Sequence, residues 1–182
     1  MSEEEIVRHC APTLAGFKTG NMFSTEYTAL GKINRDIMKL NKNLKAKGLR
    51  IMPLLYGNRH ALIYIYRPEK LRCDLSDRRV CSFLDACGYR TDKPGQCIVR
   101  LIKKLRAGGE FPHEIGFFLG YPPEDVIGFI KDRGACKACG CWKVYGDEKS
   151  AKETFRRFKA CTENLCKMYR NGISMEELAV AI

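Results

Sequence analysis

The sequence predicts an α+β fold in which a mostly antiparallel sheet of about four strands packs against helices. Three observations lead to this prediction: the first 48 residues have helical patterns, a hairpin pattern follows, and single strands then alternate with helices. A chain of 182 residues suffices for one domain with a sizeable core. We predict a single domain with N-terminal helices over 1–48, a sheet-containing core over 49–146 and C-terminal helices over 147–182.

The N-terminal region is predicted to be mainly helical. Residues 3–9 form a short first helix, and a new helix begins at Cys10-Ala11-Pro12, because proline is favoured in the first turn of a helix. Apolar residues recur at helical spacing between Leu30 and Leu44. This spacing predicts one long amphipathic helix over 25–47, which Gly48 would end.

Two strands joined by a tight turn are predicted next. The segments 49–56 and 60–66 are apolar, and Gly57-Asn58 between them is a turn signal, so the three together indicate a β-hairpin. Proline lacks the N–H group that an inner strand must donate. Pro53 therefore indicates that the first of these strands lies at an edge of the sheet.

The rest of the chain is predicted to alternate between helices and single strands. Strands are expected over 114–121 and 141–145, where short apolar runs are bounded by glycine, proline or aspartate. A capping box formed by Ser174 and Glu177 predicts a final short helix over 174–181. The other helices are expected at five places: 68–71, 77–87, 94–107, 122–130 and 147–169.

Composition and charge narrow the class of protein. No apolar run approaches the roughly 20 residues that cross a bilayer, and the acidic N-terminus is not a signal peptide, so we predict a cytoplasmic protein that has no membrane partner. The formal net charge of +11 favours acidic partners, but no nucleic-acid-binding motif accompanies it, and we expect no nucleic acid. Since no glycine-rich phosphate loop is present, we expect no nucleotide or other cofactor.

A cysteine and a histidine suggest a thiol nucleophile. In the predicted cytoplasmic compartment, the ten cysteines are expected to be mostly thiols, metal ligands or catalytic groups rather than structural disulfides. At a helix start, Cys10 would gain thiolate character, and His113, at the mouth of an apolar run bounded by glycines, would act as its base. Asp125 would orient the imidazole, because a third group must hold it. Glu114 is less suited, since neighbouring side chains on a strand point to opposite faces.

A purely structural role for these residues is the alternative. A buried cysteine often behaves as a small hydrophobic side chain, and His113 would then only bond a backbone carbonyl. His9 and His60 also compete for the role of base.

A second group of cysteines suggests a metal or redox site. Cys136 and Cys139 have the two-residue gap of a metal-binding knuckle, and Cys141 follows at once. Cys161 and Cys166 lie downstream and would complete a zinc or iron–sulfur site. The four residues between those two do not match a second knuckle, so a redox dithiol or plain packing remains open.

Several blocks resemble an uncharacterised bacterial family found mainly in anaerobes. The likeness covers nearly the whole chain, and its motifs are specific to that family, but the resemblance implies little about activity. The matching blocks are 9–16 (HCAPTLAG), 111–116 (FPHEIG), 119–122 (LGYP), 124–126 (EDV) and 142–145 (WKVY).

The order of Cys10, His113 and Asp125 more loosely resembles papain-like cysteine proteases and their amide-forming relatives. One such relative acts in assembly of the antibiotic closthioamide, so the resemblance implies a papain-like architecture and acyl transfer. The glutamine that usually supplies the oxyanion hole is missing, because position 4 is Glu4. Asn21 or backbone N–H groups would have to replace it.

We therefore predict cysteine-dependent acyl transfer through a thioester intermediate. Amide formation on a carrier-bound or peptide-like substrate, as in nonribosomal peptide biosynthesis, is the favoured outcome, and hydrolysis by water is the alternative. Glu114 and Tyr121, beside His113, would border the substrate groove. The positive charge would suit an acidic carrier protein, or its phosphopantetheine-bound acyl chain, as partner.

Overall fold

Within residues 1–181, which the computed structural model describes, five strands form two small antiparallel sheets and helices account for most other positions. The fold is therefore mixed α+β. The chain divides into two compact units. The first comprises Met1–Glu69 and the chain from Phe158 onward, and the second comprises Lys70–Arg157.

The elements run in the following order. The first unit begins with α1 (Glu3–Leu14), β1 (Gly20–Glu26), α2 (Leu30–Leu44), a 3-10 turn (Lys45–Lys47), β2 (Arg50–Tyr56) and β3 (His60–Tyr66). Next come α3 (Pro68–Asp74), α4 (Arg78–Ala86), α5 (Pro94–Ala107), α6 (Ile115–Phe118) and α7 (Pro123–Lys131). The chain continues through β4 (Ala138–Cys139), β5 (Lys143–Val144), α8 (Glu148–Arg170) and α9 (Met175–Leu178).

The larger sheet has the strand order β1–β3–β2, with both pairs antiparallel. Gly20 and Arg50 both lie opposite Tyr66, one on each side of the central strand. The register of β2 shifts between Pro53 and Leu55. The hairpin and the edge position of Pro53 are confirmed, since an edge strand tolerates the missing donor.

The core of the first unit lies between this sheet and the helices packed on it. α2 contributes Ile33, Ile37, Leu40 and Leu44, which recur at helical spacing and are all buried. Burying a side chain of this kind stabilises the fold by about 1.5–3 kcal/mol. α1 places its own buried face, from Ile6 to Leu14, in the same cluster.

A buried arginine joins distant parts of the first unit. Only 2% of Arg67 is exposed. Its guanidinium donates to the carbonyl oxygens of Thr13 (2.8 Å), Leu14 (2.7 Å), Lys47 (2.9 Å) and Val180 (2.8 Å). These carbonyls lie at or just after the ends of helical segments, where carbonyl groups lack the usual helical donor, and one side chain donates to all four.

The second unit is largely helical and has its own apolar core. α5 matches its predicted bounds, and Asp77 caps α4 by accepting a hydrogen bond from the N–H of Arg79. β4 and β5 form a two-stranded antiparallel hairpin. The buried apolar residues of the second unit include Leu84, Leu101, Phe117, Phe118, Val126 and Val144.

The predicted helix start at Cys10 and the predicted strand over 114–121 are wrong. α1 does not restart at Cys10 but runs through Pro12, because its buried face packs into the core and outweighs the cost of proline near the helix end. The segment 114–121 contains a helical turn rather than a strand. Every residue of α6 is buried, and an all-apolar run has no periodicity that separates helix from strand.

The predicted sheet of about four strands is also wrong in detail, since the strands divide into a sheet of three and a hairpin of two. Strand β1 was not predicted, and a helix was expected to begin at 25 instead. This strand forms through long-range pairing with β3, which local pattern does not encode. The final capping box is confirmed: Ser174 and Glu177 bond each other's backbone N–H at α9.

Candidate functional site: the His113 cavity

His113 lies in the turn that leads into α6, in the second unit. The N–H of Gly116 donates to the His113 carbonyl at 3.2 Å and closes this turn. Gly116 must be glycine, because a Cβ atom there would come within 2.7 Å of Val126 on α7. The close approach of α6 and α7 fixes the imidazole relative to both helices.

A cavity of about 200 Å³ opens beside this imidazole, and we call it the His113 cavity. It is bounded by α6, α7 and the β4–β5 hairpin, all within the second unit. Its lining is mainly apolar or aromatic. The lining residues are His113, Ile115, Gly116, Tyr121, Asp125, Val126, Phe129, Trp142 and Lys143.

The His113 ring is partly accessible and held by aromatic neighbours. Its side chain is 23% exposed. The ring meets Phe129 edge-on at 5.0 Å between centroids and Phe111 at 5.7 Å. Nε2 lies 4.0 Å from a carboxylate oxygen of Glu110, which is itself 76% exposed. An imidazole so placed can exchange protons with a ligand, because it keeps access to solvent and has no buried ion pair to break.

Tyr121 and Trp142 add stacked aromatic rings to the wall of the cavity. Tyr121 stacks on Trp142 at 4.9 Å, and Trp142 meets Phe155 edge-on at 4.5 Å. Burial raises the pKa of Tyr121 to about 12, with the nearby Cys141 adding to the shift, so the phenol is neutral at physiological pH. A Cβ atom at Gly140 would lie 2.3 Å from the Phe155 ring. Glycine at this position therefore leaves room for Phe155 to approach the hairpin.

Asp125 binds the hairpin rather than the imidazole. It is 3% exposed. One oxygen accepts from the indole N–H of Trp142 at 2.6 Å, and the other accepts from the N–H groups of Tyr145 and Gly146 at 2.7 Å each. Within residues 1–181, His113 and Asp125 line the same cavity but share no hydrogen bond. The carboxylate thus holds the aromatic wall in place.

His113 also lines a second space of about 410 Å³, which we call the charged groove. Glu114 borders this groove and accepts from Lys104 and from the Tyr89 hydroxyl. Burial alone would raise the pKa of Glu114, but the Lys104 ammonium and the hydrogen bonds lower it overall. Arg133 lines the groove too and pairs with Glu110. A ligand that contacts both spaces would pass the imidazole.

Cys10 lies in the first unit, on the eighth residue of α1 rather than at a helix start. Its side chain is 0% exposed and belongs to the apolar core. Burial raises the pKa of its thiol strongly, and the nearby Lys18 offsets only part of that. Asn21, in the same unit, accepts from the Thr13 hydroxyl at 2.7 Å through its amide oxygen. The helix-dipole argument for a Cys10 thiolate therefore does not apply.

The other predicted cysteine group is divided between the two units. Cys136, Cys139 and Cys141 lie in and before the β4–β5 hairpin, and the last two are exposed. Cys161 is in the core of the first unit, and Cys166 packs against that core. Over the described part of the chain, no group of three or more histidine, cysteine or acidic side chains is arranged to hold a metal ion.

Several residues that shape the cavity were not predicted from the sequence. Phe129 was not singled out, although its position four residues after Asp125 puts both on one face of α7. Lys143 was predicted only as part of a strand. Trp142 belongs to the same predicted strand, and it lines the cavity as well.

No helix among the described residues is both long and apolar enough to cross a membrane.

Comparison with known proteins places the chain in a family but assigns no chemistry. The model of a family described as "Protein of unknown function (DUF3793)" matches residues 6–179, so the chain belongs to the DUF3793 family. No curated protein and no solved structure matches it.

Proposed function

We propose that this member of the DUF3793 family binds a short acyl or aryl group in the His113 cavity, where the imidazole acts as a proton donor or acceptor. One observation carries the proposal: a partly exposed histidine borders an unfilled, mainly apolar space walled by aromatic rings. Apolar pockets with a few convergent polar groups are the usual form of ligand sites.

The size of the cavity limits what it can hold. A dry protein cavity of about 150 Å³ is large enough for benzene. At about 200 Å³, the His113 cavity suits a single ring or a short acyl chain rather than a whole cofactor. The faces of Tyr121 and Trp142, and the ring of Phe129, offer the contacts that a flat apolar group prefers.

The charged groove on the other side of His113 would take the polar remainder of the ligand. Its two acidic side chains are already paired with Lys104 and Arg133, so the groove is polar but internally balanced. A ligand with an apolar head and a polar tail would place the bond between them beside the imidazole. General acid–base chemistry requires that placement.

Fluorescence provides the test, because Trp142 is the only tryptophan in the chain and lines the cavity. We expect phenol and the hexanoyl thioester of N-acetylcysteamine to change its emission saturably. Val126→Phe should abolish the change by filling the cavity. His113→Gln should weaken binding about tenfold, which is the effect of losing one good polar contact. His60→Gln is the control: His60 is exposed at the start of β3, and its replacement should leave binding unchanged. Absence of a saturable response, or equal affinity in Val126→Phe, would overturn the proposal.

Cysteine-dependent acyl transfer is the second candidate function, and a papain-like architecture is part of it. What supports it is an imidazole beside a space that suits an acyl chain. The Cys10 thiolate would attack an acyl thioester carbonyl and expel the thiolate of the donor, which would take a proton from the His113 imidazolium. An amine would then lose a proton to His113 and attack the new thioester, which gives an amide and expels the Cys10 thiolate. Water in place of the amine would give a carboxylic acid. An acidic carrier protein bearing the acyl chain on phosphopantetheine would be the donor.

This second proposal requires Cys10 to become exposed and ionised, which its burial opposes. The protein would be incubated with the hexanoyl thioester of N-acetylcysteamine, and acylated peptides would be identified by mass spectrometry. The proposal expects the acyl group on Cys10, slower acylation in His113→Gln, and unchanged acylation in Cys161→Ala, which alters another buried core cysteine. Acylation only at Cys139 or Cys141, or none, would refute the role of Cys10.

A further inference from the structure

Four basic side chains form a stripe along the outer face of α2. Lys32, Arg35, Lys39 and Lys42 are all exposed and are spaced three, four and three residues apart, so they share one side of the helix. Met38 lies at the edge of this stripe, three residues after Arg35 and four before Lys42, and is 72% exposed. We call these five residues the basic stripe.

The basic stripe is held on a rigid support. The opposite side of α2 is buried in the core of the first unit. Asn41 fixes the helix to edge strand β2, since its amide donates to the Ile51 carbonyl at 2.7 Å and accepts from the Ile51 N–H at 2.9 Å. Asn43 bonds Glu176 in the same unit. The helix therefore cannot rotate to turn its cations elsewhere.

None of the four cations has a hydrogen bond or an ion pair within the described residues. Like charges three or four residues apart destabilise a helix. Lys32 lies in the first turn, where the helix dipole disfavours a positive charge, and Ala29 provides no side-chain cap. Lys32 thus opposes the stability of α2, whereas Lys42, in the last turn, is favoured by the dipole. A local conflict such as that at Lys32 is typical of functional surfaces.

We propose that the basic stripe binds an acidic α-helix of a partner protein. Glutamate or aspartate at matching three- and four-residue spacing would pair with the cations along the stripe. Met38 favours a protein partner, because an exposed methionine beside Arg35 and Lys42 adds an apolar contact next to the charges, and protein interfaces combine the two. A phosphate backbone has no apolar surface for that side chain, and the apolar face of α2 is buried and so cannot enter a membrane.

The test uses a synthetic 20-residue helical peptide with glutamates at positions i, i+3, i+7 and i+10 around a central leucine. A peptide of the same composition, with its glutamates spread around the helix, is the probe control. We expect the first peptide to bind more tightly, with an affinity that falls as salt is raised. Arg35→Glu with Lys39→Glu should weaken binding at least about tenfold. Met38→Ala should weaken it about threefold without changing the salt dependence.

A matched charge reversal elsewhere controls for net charge. Lys149 and Arg156 are exposed on α8, seven residues apart, and their reversal to glutamate should leave binding unchanged. Circular dichroism of each variant verifies folding. Equal binding of both peptides, or equal loss in the two double variants, would overturn the proposal. So would tighter binding of a 30-base-pair duplex or of phosphatidylserine vesicles through Arg35 and Lys39, because the stripe would then be a nucleic-acid or membrane surface.

Discussion

Cys10 and His113 lie in opposite kinds of surroundings. The Cys10 side chain is completely buried in the core of the first unit, and that burial raises the pKa of its thiol. The His113 side chain keeps part of its surface accessible and borders two unfilled spaces in the second unit. A packed core has no room for a ligand, whereas a histidine beside a cavity can meet one. Access to a ligand, rather than residue type, thus favours His113 as the functional group.

The two units also use buried charges differently. Arg67 in the first unit donates to carbonyls from residues 13, 14, 47 and 180, which are distant in sequence. Asp125 in the second unit accepts from groups of one hairpin that forms a cavity wall. Loss of Arg67 should therefore affect stability alone, while loss of Asp125 should affect both stability and the cavity.

The largest expected effect is that of Arg67→Met. It would remove the guanidinium from four carbonyl oxygens, and those of Lys47 and Val180 would lose the donor that Arg67 provides, while those of Thr13 and Leu14 would each keep one backbone donor. We expect the free energy of unfolding to fall by about 3–5 kcal/mol. Urea denaturation measures this change. Arg50→Met is the matched control, since Arg50 is only half-buried and donates to its neighbour Leu49; it should cost less than about 1 kcal/mol. Equal losses in the two variants would show that the buried guanidinium is not a special contributor.

Asp125→Ala should have the next largest effect, a loss of about 2–4 kcal/mol, because three donors of the hairpin lose their acceptor. The emission of Trp142 should shift to the red as the indole gains contact with water. Asp132→Ala is the control: Asp132 accepts one exposed N–H, that of Gly134, and should cost about 1 kcal/mol or less. If Asp125→Ala left stability and emission unchanged, Asp125 would not be a structural clamp.

Much of the fold was predictable because its signals are local. The hairpin of β2 and β3, the bounds of α5 and the capping box of α9 follow from turn residues, helical spacing and caps. What was missed depends on partners distant in sequence. Strand β1 exists because it pairs with β3, and α1 continues through Pro12 because its buried face has a sheet to pack on.

The candidate site was predictable only in part. His113, Tyr121 and Asp125 were named, and the structure brings them to one cavity. The role of Asp125 depends on which N–H groups the hairpin places beside it, and that arrangement is tertiary. The burial of Cys10 likewise depends on the sheet packed against α1. Neither the residue type nor the neighbouring sequence could therefore reveal that Cys10 is buried.

The contrast between Cys10 and His113 can be sharpened by chemical labelling. We expect iodoacetamide to modify Cys10 at least about a hundredfold more slowly than the exposed Cys139 at pH 8, because the thiol is inaccessible and its pKa is raised. Mass spectrometry of peptides gives both rates in one sample. Denaturation in urea should abolish the difference. Rapid labelling of Cys10 in the native protein would contradict this expectation and would make Cys10 a candidate nucleophile again.

The smallest expected effect concerns Glu114 and the charged groove. The pKa of Glu114 is lowered overall from 4.5 in the folded protein, so the carboxylate is ionised there at neutral pH. Its pairing with Lys104 therefore stabilises the protein at pH values above the pKa that Glu114 has in the unfolded chain. That contribution is lost as the pH falls through the lower, folded pKa. Glu114→Gln should therefore cost about 1–2 kcal/mol at pH 7 and much less at pH 3, as measured by urea denaturation. Glu110→Gln is the control, because Glu110 borders the same groove but is exposed. It should change the free energy of unfolding by under about 0.5 kcal/mol at both pH values. A Glu114→Gln cost that persisted at pH 3 would mean that the neutral carboxyl is what the fold requires.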